Sequence, residues 1–172
     1  MTSADLLTDA FGRIRDTVSN VVDRLSPAQL AYRIDADANP VGWLVWHLTR
    51  VQDDHVAAAF AVRQVWEADG WAARFGLPAE TMEIGYGHNS RQVEAIGDAV
   101  AASPELLVAY HEAVYEQTIK HVSGLIDADL PRVVDRSWTP PVTLAVRLIS
   151  VISDNLEHAG QAAYVRGILL RS

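Results

Sequence analysis

Apolar side chains recur every three or four positions along four long stretches of this chain, which is the spacing of one face of an α-helix. The first stretch covers residues 4–24, with apolar side chains at positions 6, 7, 11, 14, 18, 21 and 22. The other three cover about residues 40–66, 104–124 and 141–169. No stretch alternates apolar and polar residues in the way that a half-buried strand does. The pattern therefore predicts an all-α protein.

The connections between these stretches differ in length and composition. Residues 26–30 are typical of a short helical turn that opens with a Ser-Pro cap, and a loop follows up to residue 40. Residues 67–90 hold four glycines and one proline, so we expect a long loop with a short helix at 71–75. Helical character resumes at 90–101, and residues 127–141 are expected to form another loop.

Four amphipathic helices in a chain of 172 residues are typical of a four-helix bundle. We expect one domain over residues 1–172, an up-and-down bundle with a long loop between the second and third long helices. Apolar residues make up 49% of the chain, which is enough for a substantial core.

Charge and composition narrow the range of partners. The net charge of −8 repels phosphate backbones and anionic lipid, so we expect no nucleic acid and no membrane partner. No apolar run is long enough to span a bilayer, and the N-terminus lacks a basic segment followed by an apolar one, so a cytoplasmic protein is expected. Cysteine is absent, which excludes disulfides, thiolate ligands and a cysteine nucleophile. Small molecules and other proteins remain, including a second copy in a homodimer.

Three titratable residues stand within apolar helical segments. Asp154 and His158 are four residues apart on the fourth long helix, so both side chains point the same way. His47 lies among tryptophan, leucine and valine on the second long helix and is expected to face inward too. Two imidazoles and a carboxylate suit one divalent ion, zinc first and nickel or manganese as alternatives, with a coordination position left open. The same residues also fit a plainer structure, in which Asp154 bonds His158 and His47 is an ordinary core histidine.

Two motifs give the chain a family resemblance. WHLTRV in the second long helix and DNLEHAGQAAYVRG in the last, with GYGHNS between them, resemble the DinB/YfiT-like superfamily of metal-binding four-helix bundles. The similarity is greatest to the actinobacterial branch associated with mycothiol, and it extends over nearly the whole chain. It implies that His47, Asp154 and His158 hold a divalent metal ion. Many members have histidine in place of Asp154, although similar mycothiol-dependent isomerases have a carboxylate there.

The activity that this resemblance implies is transfer or isomerisation with a low-molecular-weight thiol, and we expect a mycothiol S-transferase, a detoxification enzyme. The metal ion would hold a low-molecular-weight thiol, with mycothiol as the expected co-substrate, as the thiolate that attacks an electrophilic small molecule. Coordination favours the thiolate because the cation stabilises the deprotonated sulfur. No catalytic residue is expected beyond the metal site. Two alternatives stay open: a metal-dependent isomerase or hydrolase, and a non-catalytic helical module for binding or dimerisation.

Six further residues are candidates for substrate binding, each with a structural alternative. Tyr86 and His88 lie in the glycine-rich part of the long loop, which suits a lid over the metal but also a simple turn. Trp46 adjoins His47 and is expected to shape the pocket wall as well as the core. Gln161 follows His158 by three residues and would orient it or touch the ligand.

Asp54 and Arg166 each lie about two helical turns from a candidate histidine and complete the six. Asp54 would accept a proton or contact the substrate, and a surface or helix-pairing carboxylate is the alternative. Arg166 would meet a substrate carboxylate, and a salt bridge is the alternative. Three expectations concern packing. Gly160 would allow the close approach of a neighbouring helix or substrate. His111 and His121 would be solvated, and the tryptophans at 43, 46, 66, 71 and 138 would anchor the core.

Overall fold

The structure, a computed structural model, describes residues 1–78 and 81–171. Residues 79 and 80, inside the predicted long loop, and Ser172, at the end of the predicted domain, lie outside the described residues. The four long helices are α1 (Ser3–Val22), α3 (Val41–Phe60), α7 (Pro104–Val122) and α8 (Leu144–Leu169). The shorter helices are α2 (Pro27–Ala31), α4 (Val65–Ala68), α5 (Trp71–Arg74) and α6 (Ser90–Ala101). The predicted all-α four-helix bundle is confirmed.

The second long helix, α3, is the most enclosed part of the bundle. Of its 20 residues, 16 are buried, and these include His47, Arg50 and Asp53. Polar groups in such a helix need partners from neighbouring elements, because an unpaired buried polar group costs about 1–3 kcal/mol. Among the described residues, no helix has the length and hydropathy of a membrane span.

The four long helices run up, down, down and up, so the predicted up-and-down order was wrong. Thr49 in the first half of α3 contacts His111 in the first half of α7, and Phe60 at the end of α3 stacks on His121 near the end of α7. The second and third long helices are therefore parallel. The reason is the long segment between them, residues 61–103, which returns to the starting end of α3 before α7 begins.

The returning segment covers one side of α3. The backbone carbonyls of Met82 and Ile84 accept hydrogen bonds from Arg50 and then His47, so this stretch runs back along the helix. α6 lies in the predicted position and crosses the start of α3, where Gly97 leaves room for the ring of Pro40. The expected long loop is thus a packed layer that contains short helices.

The segment expected as a plain loop before α8 holds regular structure. One turn of 3-10 helix spans Asp127–Asp129, and β1 (Val133–Asp135) pairs antiparallel with β2 (Val142–Thr143). The pattern missed this hairpin because its strands are too short to show an alternation. Trp138, between the two strands, is 65% exposed and is therefore not the expected core anchor, whereas the tryptophans at 43, 46, 66 and 71 are buried.

The other packing expectations were also wrong in part. His111 is buried rather than solvated, and its Nδ1 hydrogen bonds to Thr49. His121 is half-buried against the ring of Phe60. Gly160 is exposed, and an added Cβ would meet no described atom within 4 Å, so no close approach within the chain explains it.

Candidate metal centre

The structure brings the three candidate metal ligands together from two antiparallel helices. His47 lies in the first half of α3, and Asp154 and His158 lie near the middle of α8. Each offers one ligand atom, and these atoms all lie within 4.8 Å of one another. That separation is close to the sum of two ligand–metal bonds, about 4 Å. The rings of His47 and His158 meet edge to face, with centroids 4.6 Å apart.

Both histidines use Nδ1 for a backbone hydrogen bond. His47 donates from Nδ1 to the carbonyl of Ile84, and His158 donates from Nδ1 to the carbonyl of Asp154, at 2.8 Å. A carbonyl only accepts, so each Nδ1 carries a hydrogen, and in the neutral form of each ring the lone pair is on Nε2. Metal-binding histidines commonly show this arrangement, in which the second nitrogen fixes the tautomer and the ring orientation.

The carboxylate of Asp154 favours a cation over a plain hydrogen-bonded pair. Its Oδ2 is buried and accepts no hydrogen bond from any described residue, although Nδ1 of His158 lies 3.5 Å away. The one hydrogen on that Nδ1 already goes to the backbone carbonyl of Asp154. A buried carboxylate oxygen without a donor is costly, and a bound cation would remove the cost. Two neutral imidazoles and one carboxylate fit zinc or a similar divalent ion.

The surroundings of His47 hold its ring in a fixed plane and keep it neutral. Trp43 stacks on the ring with centroids 4.7 Å apart and an angle of 16° between the planes. Burial lowers the pKa of His47 below its usual 6.5, although the bond to Ile84 opposes this effect. Neutral imidazole is the form that binds a metal.

Gly85 allows the backbone to approach His47 closely. Its φ of +96° suits glycine, and a Cβ at this position would lie 2.7 Å from Nδ1 of His47 and 3.0 Å from the ring of Trp43. Any side chain here would push the returning segment off the histidine. Gly85, the first glycine of GYGHNS, is therefore needed for the contact between Ile84 and His47.

Three of the six predicted substrate-binding residues adjoin His47 in the chain or lie on the segment that covers it. His88 accepts a hydrogen bond at Nδ1 from the indole Nε1 of Trp43, at 3.3 Å, and stacks on Trp46. Burial lowers the pKa of His88 below 6.5. Trp46 is fully buried and forms part of the core behind the site. Tyr86 is 91% exposed, on the outer side of the same loop.

The other three lie outside the centre. Asp54 accepts a hydrogen bond from Gln64, and its hydrogen bond with His55 lowers the pKa of its carboxyl group. Gln161 is exposed and does not orient His158, because the carbonyl of Asp154 already fills that position.

Arg166 bonds to backbone carbonyls in place of the salt bridge that was its predicted alternative. Its side chain donates to the backbone carbonyls of Asn20 and Asp23, both at 2.9 Å, and so caps the end of α1. Carbonyls at the end of a helix lack partners within that helix, which explains why the arginine is taken up there.

Sequence reasoning missed a buried polar network next to His47. Arg50 and Asp53 are almost fully buried on α3, and they share the buried hydroxyl of Tyr110. Burial raises the pKa of Asp53 above its usual value. The spacing of three residues, from His47 to Arg50 and again from Arg50 to Asp53, makes each pair neighbours on the helix surface and is the signal that would have connected them.

Comparison with known proteins assigns the chain to a family. A sequence profile of the mycothiol-S-transferase family matches residues 6–170. A crystal structure of a conserved protein from Enterococcus faecalis is similar, with 28% identity and a TM-score of 0.87, over 100% of this chain and 99% of that one. No curated protein matches. The profile covers nearly the whole chain, as the resemblance of the histidine motifs predicted, and the chain belongs to the mycothiol-S-transferase family.

Proposed function

We propose that this protein is a divalent-metal-dependent thiol S-transferase that conjugates mycothiol to electrophilic small molecules. The observation that carries the proposal is the meeting of His47, Asp154 and His158, whose ligand atoms lie within 4.8 Å of one another. The membership of the mycothiol-S-transferase family supports the thiol and the reaction class. Zinc is the proposed ion, with nickel and manganese as alternatives, because imidazole nitrogens are its common ligands.

The protein's own residues would hold and neutralise the cation, and the substrate would supply the sulfur. The chain has no cysteine, so no protein thiol competes for the ion or for the electrophile. When bound, the divalent ion acts as a Lewis acid that favours the thiolate form of the substrate. The sulfur would bond to the electrophilic carbon as the bond from that carbon to its leaving group breaks, and the proton lost by the thiol would pass to the departing group or to solvent.

Three protein ligands leave a coordination position for the thiol, which is typical of catalytic rather than structural metal sites. Asp154 would be the one anionic ligand of the three and would reduce the net positive charge of the site. Tyr86 and His88 stand next to Gly85 on the segment that covers His47, so we propose them as contacts for the substrate.

Metal analysis tests the site before any substrate is known. We expect purified wild type to hold close to one equivalent of metal and His158→Ala to hold almost none. His121→Ala is the matched control, because it removes a histidine from α7 that stacks on Phe60 and stays outside the centre. Equal metal content in wild type and His158→Ala would overturn the proposed ligand set.

Thiol conjugation tests the reaction. A chelator should abolish the conjugation of mycothiol to a model electrophile such as a bimane, and re-added zinc should restore it. Undiminished activity in the stripped protein would reject the metal-dependent mechanism. Product formation without any thiol would favour the alternative, a metal-dependent isomerase or hydrolase.

A non-catalytic binding or dimerisation module is a second candidate. Its support is the outer face of α8, where Val146, Ile149 and Leu156 are each about half exposed. Metal-free wild type that sediments as a dimer and has no thiol-transfer activity would favour this reading over the enzyme.

A further inference from the structure

Four successive backbone carbonyls, at residues 81–84, accept hydrogen bonds from buried side chains of α3 and α4. We call these residues the strap. The indole Nε1 of Trp66 donates to Thr81 at 2.6 Å, and Nδ1 of His47 donates to Ile84. Between them, Arg50 donates to the carbonyls of Met82 at 3.0 Å and Glu83 at 3.3 Å. The strap is thus attached at every residue, and a single arginine holds its middle.

Arg50 is committed to this position by its burial. The side chain is 0% exposed, and a buried guanidinium is costly unless its N–H groups find acceptors. Its remaining donors reach Gln64 at 3.0 Å and the hydroxyl of Tyr110 at 3.3 Å, and its plane lies over the ring of Trp66. Few other orientations of the guanidinium would satisfy all these groups together.

The charge of Arg50 is balanced by Asp53, which is itself fixed. The two side chains are 3.5 Å apart, and both are fully buried. The carboxylate of Asp53 accepts from the backbone amides of Val65 and Trp66, at 2.8 and 2.7 Å. The start of α4, the arginine and the strap therefore form one connected unit.

We propose that Arg50 is a positioning residue for the metal centre. Glu83 and Ile84 are consecutive, so the bonds that fix the carbonyls of Met82 and Glu83 also fix the position of the Ile84 carbonyl. That carbonyl holds the hydrogen on Nδ1 of His47 and leaves Nε2 as the metal-binding atom. The part of this inference that concerns metal affinity rests on the proposed function, whereas the part that concerns the His47 tautomer does not.

The test compares Arg50→Lys with Tyr110→Phe. A lysine keeps the charge but lacks the fork that reaches two carbonyls at once. Tyr110→Phe removes a hydroxyl that bonds Arg50 at 3.3 Å and Asp53 at 2.9 Å but makes no bond to the strap. Tyr110→Phe therefore reports the effect of a weakened network on stability, without a direct effect on the Ile84 carbonyl.

Two readouts separate positioning from a merely structural role. In the metal-free protein, nitrogen-15 NMR of the imidazoles should show His47 mainly as the Nδ1–H tautomer in wild type and Tyr110→Phe, and as a mixture in Arg50→Lys. His158 is an internal control, because its Nδ1 partner belongs to its own helix. Competition with a chromophoric chelator should show zinc affinity about 10- to 100-fold weaker in Arg50→Lys, as is usual when the partner of a metal ligand is lost.

The outcomes are distinguishable. An unchanged His47 tautomer together with unchanged zinc affinity in folded Arg50→Lys would overturn the inference. If Arg50→Lys does not fold, the double variant Arg50→Gln/Asp53→Asn, which removes both members of the buried charge pair together and leaves no fork on the strap, carries the same two readouts, and no change in either would overturn the inference. Wild type that binds no zinc, but whose His47 tautomer still depends on Arg50, would reject the proposed function and leave the positioning role supported.

Discussion

The two halves of the candidate metal centre are held in different ways. His47, on α3, is 6% exposed and depends on a backbone segment 37 residues further along the chain. Asp154 and His158, on α8, have side chains that are 34% and 19% exposed, and His158 bonds a carbonyl of its own helix. One ligand is thus positioned by tertiary structure, and the other two by the geometry of a single helix.

This difference indicates which substitutions should change stability as well as metal binding. A change near His47 disturbs a packed core that includes Arg50 and the strap, so stability and metal binding should fall together. A change on α8 next to the ligands should alter one property without the other. The four predictions below use this contrast, in order of decreasing size.

Removal of each histidine gives the largest effect. We expect His47→Ala and His158→Ala both to weaken zinc binding by more than about a thousandfold, because two ligands do not replace three. Only His47→Ala should also destabilise the metal-free protein, by about 2–3 kcal/mol, since it leaves a cavity and an unpaired carbonyl at Ile84. Calorimetric titration with zinc and urea unfolding measure the two quantities. Equal losses of stability in both variants would contradict the contrast.

Acid should lower the free energy of unfolding, because His111 is buried and must take up a proton. Burial lowers its pKa to about 4, from the usual 6.5, and the nearby Arg15 adds to the shift. The unfolded chain therefore binds more protons between these two values, so the stabilising contribution is complete above pH 6.5 and is lost as the pH falls towards 4. The loss amounts to roughly 3 kcal/mol in the free energy of unfolding.

Urea unfolding of the metal-free protein at several pH values measures this loss. His111→Gln is the control, because an amide can still donate to Thr49 but does not titrate in this range. The variant should show a flatter dependence of stability on pH than wild type. Parallel curves for the two proteins would mean that His111 does not supply the dependence.

Gly85→Ala tests the close approach of the returning segment, with Gly87→Ala as its match. Both glycines have positive φ angles, +96° and +73°, but an added Cβ would strike His47 only at position 85. We expect Gly85→Ala to lower stability by about 2–3 kcal/mol and zinc affinity by about tenfold or more. Gly87→Ala should cost about 1 kcal/mol of backbone strain and leave the affinity unchanged. Similar affinities for the two variants would show that the clash at His47 is relieved without consequence.

Gly160→Ala should have the smallest effect, and the opposite sign. The residue lies inside α8, and an added Cβ would meet no described atom within 4 Å. Alanine is favoured over glycine in a helix interior by about 1 kcal/mol, so the free energy of unfolding should rise by that amount while zinc affinity stays constant. A decrease in stability would reveal a contact with a second molecule or a residue outside the described ones.

The contrast between the two halves also explains how much of the site could be predicted from sequence. Asp154 and His158 lie four residues apart on one helix, so their proximity follows from helical periodicity alone. The proximity of His47 was expected from the resemblance and from its apolar neighbours. Its contact with Ile84 could not be expected, because the path of residues 81–88 depends on the buried acceptors and donors of Arg50 and Asp53.

The same limit applies to the fold. The four long helices and α6 follow from the apolar periodicity, although the predicted end of the second long helix near residue 66 was wrong, because α3 ends at Phe60. The parallel arrangement of α3 and α7 depends on a connection whose packing no local pattern encodes. Arg166 illustrates the limit for single residues: its position on α8 was clear, but its partners lie on α1 at the opposite end of the sequence.

Anomalous X-ray diffraction at the zinc absorption edge, from crystals of zinc-loaded wild type, tests the central claim most directly. We predict one strong anomalous peak, which marks a zinc ion bonded to Nε2 of His47, Nε2 of His158 and a carboxylate oxygen of Asp154. Each bond should be about 2.0–2.2 Å long. A peak held by other residues, or by only one of these helices, would contradict the account.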